Sequence, residues 1–162
     1  MARTYETLAP SRAATIARTE MIRANREAQR QTFEANLSIV RGWRRISAGD
    51  VNVCPVCWSL HGDPNPVADV VPSHPNCRCT VIPITPTYAE LAGLPPGSFD
   101  EPEEMPDKEE QFRMLSEAER RQVLGPSRYR LWETGTPLSA FGKVVPNNEW
   151  GPQAVVVPVK EL

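Results

Sequence analysis

Lysine is nearly missing from this 162-residue chain, with three lysines beside fifteen arginines. Histidine is scarcer still, at His61 and His74 alone. A His-Glu-x-x-His metalloprotease helix cannot be built from that pair, and little is left for histidine catalysis once one ring binds a metal. No apolar run is long: Ala154 to Val159 is broken by Pro158, far short of the roughly 20 residues a spanning helix needs. The N-terminal MARTYETLAPSR lacks the apolar core of a secretory signal, and Glu6 and Glu20 argue against a transit peptide. A reducing compartment is therefore expected, where clustered cysteines hold metal more often than they form disulfides. Glycine is outnumbered by proline, 9 against 17, and only Pro10 precedes position 50. That excludes a helical bundle or coiled coil throughout.

What is present is uneven. Residues 1–49 carry nine arginines against Glu6, Glu20, Glu27 and Glu34, while residues 100–119 hold nine acids against Lys108 and Arg113. Charge blocks of this kind are solvated faces, or surfaces that meet nucleic acid or an acidic partner. The arginine fork suits carboxylate and phosphate, although a GC-rich genome produces the same bias.

The best helical stretch runs from about Arg12 to Ala35, with Ser11 as N-cap. Ala13, Ala17, Met21, Ala24, Ala28 and Ala35 recur on one face, predicting a stripe that packs on the core. Arg23, Arg26 and Arg30 lie on another face, with Glu27 placed to pair with Arg23 and the arginines available to nucleic acid or a partner. Ser38 to Ser47 reads as a strand around Trp43, and Cys79 to Ile84 as an edge strand because of Pro83. Between them Cys54 to Cys79 reads as a structured loop. Ser116 with Glu119 forms a capping box, and Gly125-Pro126 ends that helix before a second short one closing at Gly135. Val155-Val156-Val157 suits one strand docking on a neighbouring sheet or another subunit. The expected architecture is α+β: a small zinc-clamped domain with a long N-terminal helix, short strands and an extended C-terminal arm bearing a short helical hairpin. Its divisions are the cysteine domain at 1–85, an acidic proline-rich linker at 86–107, the hairpin at 108–135 and an extended tail at 136–162.

All four cysteines fall within one short segment, as Cys54-Pro-Val-Cys57 and His74-Pro-Asn-Cys77-Arg-Cys79. A two-residue gap lets paired ligands face one ion, and zinc takes four tetrahedral ligands from thiolate and imidazole. Cys54, Cys57, His74, Cys77 and Cys79 are thus five candidates for four positions, with His61 a sixth. A closed structural zinc would fix a loop too poor in apolar residues to fold by burial; a pair of disulfides is the competing cross-link. A zinc deaminase requires His-x-Glu or Cys-x-Glu ahead of Pro-Cys-x-x-Cys, which is lacking here. No catalytic residue is assigned. Arg18 and Glu20 are expected to tie the long helix to the loop through Arg78, Asp50 or the loop backbone.

Ile16-Ala-Arg-Thr-Glu20, Ala24-Asn25, Trp43, Asp50, Cys54-Pro-Val-Cys57, Leu60-His-Gly62 and His74-Pro-Asn-Cys-Arg-Cys79 together resemble the phage head morphogenesis domain. This is the family of the Mu F protein and SPP1-type minor head proteins. The resemblance covers about Arg12 to Pro83, and Gln122 to Gly125, Arg128, Leu131-Trp132 and Gly135 resemble a segment that often follows it. It implies a minor structural protein of a tailed-phage or prophage head, associated with the portal or major capsid protein and acting in assembly, DNA packaging or ejection. It further implies several copies in a larger particle, a virion location with passage through the host cytoplasm, and no membrane. A zinc-containing nucleic-acid-binding module and a metal-dependent nuclease or hydrolase are the alternatives.

Overall fold

A computed structural model describes residues 2–99 and 105–162, with backbone alone for residues 2–9. Helix α1 (Ala2–Glu34) is followed by strand β1 (Gly42–Ile46), the short helix α2 (Pro55–Ser59), β2 (Pro64–Asn65) and β3 (Thr80–Ile84). Helices α3 (Tyr88–Ala92), α4 (Lys108–Met114) and α5 (Glu117–Glu133) come next. A 3-10 turn at Leu138–Phe141 then leads into strands β4 (Gly142–Val145) and β5 (Gln153–Val156). The expected acids Asp100 to Glu104 lie outside the described residues.

The first sheet has the order β2-β1-β3, antiparallel throughout, with Pro83 opposite Trp43 on the edge strand. That is where a residue without an N–H belongs. Along β1, Trp43 and Arg45 share a face and are both buried.

Three expectations are corrected. Helix α1 begins before Pro10, so Ser11 lies inside it and is not its N-cap. The alanine stripe is exposed: Ala13, Ala17, Met21, Ala24, Ala28 and Ala35 all face outward. The inward face is instead Thr15, Thr19, Ile22, Arg26, Gln29 and Phe33. The physical reason is what the helix packs against, a loop offering carbonyl oxygens and sulfur, which call for donors. Glu27 pairs with Arg30 at 2.7 Å, while Arg23 pairs with Glu20 at 3.4 Å. Both pairs place the glutamate N-terminal to its arginine, the better orientation on a helix.

The C-terminal elements close over α2. Cys54 precedes α2 and Pro55 takes its first turn, where a missing N–H costs nothing. Trp58 then meets Phe112 edge-on at 5.1 Å, and Phe112 meets Trp132 at 5.2 Å. Glu109 accepts from Trp132 Nε1 at 2.9 Å and from the Leu138 backbone N–H at 2.6 Å. Gly142 lies against α2 so closely that a Cβ there would sit 2.0 Å from Ser59 Oγ. The Ser116–Glu119 capping box forms, and α5 breaks at Gly125, φ 72°. A second box, Thr87–Glu90, starts α3 within the stretch read as linker. Strand β5 pairs with β4 and also bridges Ser73 of the same chain, with Ser73 N–H donating to Pro152 O at 3.0 Å and Ala154 N–H to Ser73 O at 2.8 Å. The valine-rich tail thus docks on its own chain, one residue before His74.

Candidate metal centre

Helix α2 supplies Cys57, and Cys54 stands just ahead of it; the turn before β3 supplies His74, Cys77 and Cys79. Ligand atoms of Cys54, Cys57 and His74 lie within 4.8 Å of one another, and so do those of Cys57, Cys77 and Cys79. Cys57 is common to both groups. His74 Nε2 is 3.4 Å from Cys54 Sγ and 2.9 Å from Cys57 Sγ, and Cys57 Sγ is 3.6 Å from Cys77 Sγ. Around a tetrahedral zinc with bonds of about 2.3 Å to sulfur and 2.0–2.1 Å to nitrogen, neighbouring ligands stand about 3.5–3.8 Å apart. The donor set fits such an ion. His74 Nδ1 lies 2.9 Å from Pro75 O; donation there leaves Nε2 as the lone-pair nitrogen facing the sulfurs.

All four cysteines are free thiols in the structure, and Cys57, Cys77 and Cys79 are buried. The five residues are close together and could hold a metal. Without one, protons divide them. Hydrogen bonding from Cys57 draws the Cys54 thiol down to about 4 against burial. Cys57, whose single S–H proton is held among the Cys54, Cys77 and Cys79 sulfurs, is pushed up. Bonds from Cys57 and Cys79, aided by the Arg26 charge, pull Cys77 down. Cys57 favours the Cys79 thiolate, but Cys77 and burial outweigh it and raise Cys79 to about 11. Burial opposes the His74 imidazolium, yet Cys54 and Cys77 lift it to about 10. A metal ion would replace those protons, so its binding releases them.

Two buried arginines complete the surroundings. Arg26, 3% exposed, donates to Cys77 Sγ at 2.8 Å, to Cys79 O at 2.7 Å and to Ser73 Oγ at 3.4 Å. Arg45, 1% exposed, donates to Pro72 O and reaches Cys77 Sγ at 3.9 Å. Buried cations require compensating negative charge; thiolates supply it, with or without a zinc bound by three or more of them. Arg26 therefore does not belong to an open arginine face, because its guanidinium is consumed inside the site. Arg45 was missed altogether, although its alternation with Trp43 along β1 marked it as inward-facing.

Arg18 donates to Asn76 Oδ1 at 2.5 Å, and Asn76 N–H donates to Thr19 Oγ1 at 3.0 Å. Asn76 holds φ 59°, a left-handed conformation that asparagine tolerates better than most residues. The Arg-Thr pair thus grips the turn between His74 and Cys77. Arg78 pairs with Asp50 across the loop, and the hydrogen bond from Arg78 keeps that carboxyl below its usual range. Glu20 pairs with Arg23 and not with the loop. Arg30 is held between Glu27 and Glu34. His61 is buried apart from the cluster; its Nδ1 accepts from Ser47 N–H at 2.9 Å, and burial depresses its pKa.

Among the described residues, no helix is long and apolar enough to cross a membrane. No curated protein matches the chain, and no solved structure does either. The metal loop, the Arg-Thr grip and β1 to β3 lie almost wholly within residues 1–82, the span matched by the family described as Phage Mu protein F like protein, and the chain belongs to that family.

Proposed function

We propose that the chain is a minor structural component of a tailed-phage or prophage head, docked near the portal or on major capsid subunits, whose loop is clamped by one structural zinc. Membership of the Mu F-like family carries the head assignment. The zinc assignment rests on the Cys54, Cys57, His74, Cys77 geometry, with Cys79 as the remaining thiol and Cys57 indispensable because both groups share it. Zinc would supply charge and cross-linking here, not chemistry; the chain's own residues orient His74 through Pro75 and neutralise Cys77 through Arg26. Residues 1–85 form the head-morphogenesis unit in this reading, and residues 108–162 brace it.

Co-sedimentation with assembled heads or isolated portal tests the placement; a protein recovered only free in the lysate counts against it. One zinc per chain by elemental analysis, with four thiols after denaturation, supports the clamp. Absence of metal together with missing thiols favours disulfides. The nucleic-acid alternative draws no support from the arginine face, since Arg26 is buried and Arg23 and Arg30 are paired with glutamates.

A further inference from the structure

The sulfurs of Cys57 and Cys77 stand 3.6 Å apart, and they belong to different segments, α2 and the turn before β3. About 1.5 Å separates that contact from an S–S bond. A cavity of about 190 Å³ is lined by all four cysteines and His74, so a small oxidant has a way in although Cys57 and Cys77 are buried. We infer that the loop is a redox switch: a peroxide joins Cys57 to Cys77 as a disulfide, and the same step takes away the anion that holds Arg26 and with it α1. The disulfide stands on the sulfur geometry; only the ion released rests on the zinc reading.

Cys77 is the sulfur that reacts first. Arg26 donates to its Sγ at 2.8 Å and Arg45 lies 3.9 Å away, and neighbouring cations favour the thiolate, the nucleophilic form. The thiolate attacks one peroxide oxygen; an S–O bond forms, the O–O bond breaks, and hydroxide leaves. The Cys57 sulfur then attacks the Cys77 sulfur. An S–S bond replaces the S–O bond, and the oxygen leaves as hydroxide, or as water where it takes the Cys57 proton. Each sulfur loses one electron and the peroxide gains both. Withdrawal of the pair strips two ligands from the proposed zinc site, which lets the ion go. The new bond preserves the join between α2 and the turn, but the Cys77 charge is gone. Arg26, 3% exposed, is left with the neutral acceptors Cys79 O and Ser73 Oγ. A buried cation without its counter-charge is destabilising, and α1, which bears it, is held less firmly.

The test treats the full-length protein with a slight excess of hydrogen peroxide. Free thiols are expected to fall from four to about two, reversibly with dithiothreitol. Cleavage at Asp69 and Arg78 puts Cys77 on a peptide of its own, and fragmentation should assign its partner to Cys57 and not Cys54. Backbone amides over residues 22–33 of α1 should exchange about tenfold faster or more after oxidation. Arg26→Met, which lacks the buried charge, should show no such change. A disulfide within Cys54–Cys57 or Cys77–Cys79, four thiols surviving the peroxide, or α1 exchange that does not respond to oxidation overturns the inference. Elemental analysis of the untreated protein reads the zinc proposal separately. A Cys57–Cys77 disulfide formed in a chain that carries no zinc refutes the clamp and supports the switch, and a zinc-loaded chain that resists peroxide does the reverse.

Discussion

Replacing Arg26 with methionine isolates the contribution of the buried guanidinium to the metal loop. Methionine fills much of the same volume, so packing changes little. What is lost are the bonds to Cys77 Sγ at 2.8 Å and Cys79 O at 2.7 Å. Buried hydrogen bonds to a charged group contribute about 1.5–3 kcal/mol each, and relief of arginine desolvation returns part of that sum. Breaking a buried charge pair from one side costs about 3–5 kcal/mol, so a net loss near 3 kcal/mol is expected. With a urea slope of about 2 kcal/mol per molar, the unfolding midpoint of the zinc-loaded protein falls by about 1.5 M. Chelator competition should show zinc bound about 10–100-fold more weakly, as when partners of metal ligands are removed. Arg30→Met is the control: it removes pairs to Glu27 and Glu34, which are 45% and 41% exposed, and costs under about 1 kcal/mol. If Arg26→Met unfolds no earlier than Arg30→Met and holds zinc as tightly as the parent, the guanidinium is not what steadies Cys77.

Three further outcomes are expected. Gly142→Ala forces a Cβ to within 2.0 Å of Ser59 Oγ and 3.0 Å of Val56 Cα; the strand must lift from α2, at a cost of about 1–3 kcal/mol measured by urea unfolding. Asn76→Ala loses both the Arg18 bond and an easy left-handed backbone, about 1.5–3 kcal/mol together, whereas Asn76→Gly keeps the backbone and should lose only the side-chain part. His61, whose folded pKa is depressed by burial, contributes stability that is present above its ordinary 6.5 and lost as pH falls below it. The His61→Asn protein should show a shallower decline there, the difference approaching at most about 1.4 kcal/mol per pH unit. Identical slopes for the two proteins would refute that assignment.

Local signals in the sequence translated directly into structure. The two-residue spacing of Cys54 with Cys57, and of His74 with Cys77, brought four donors together, and the Ser116–Glu119 box and Gly125 break formed where expected. The α1 packing face did not follow apolar periodicity, because periodicity presumes an apolar surface to pack on. Thr19, Arg26 and Gln29 face inward to meet Asn76, Cys77, Cys79 and Val81 through hydrogen bonds, and a polar inward stripe looks like a solvated one until its partner is known. Neither could the tail be placed from Val155 to Val157 alone, since its Ser73 bridge joins segments with no shared pattern.

That bridge has a consequence for the order of events during synthesis. Ser73 and Gln153 are paired yet widely separated in sequence, so the cysteine loop leaves the ribosome well before the strand that pairs beside it. At about 5–20 residues per second, translation of the intervening chain takes roughly 4–16 seconds. Throughout that interval the thiols meet whatever ions and oxidants the surroundings offer, and only afterwards does β5 fasten the residue preceding His74. For a loop that could hold a metal, which ion it takes up would then depend on supply during translation as much as on equilibrium preference in the finished protein.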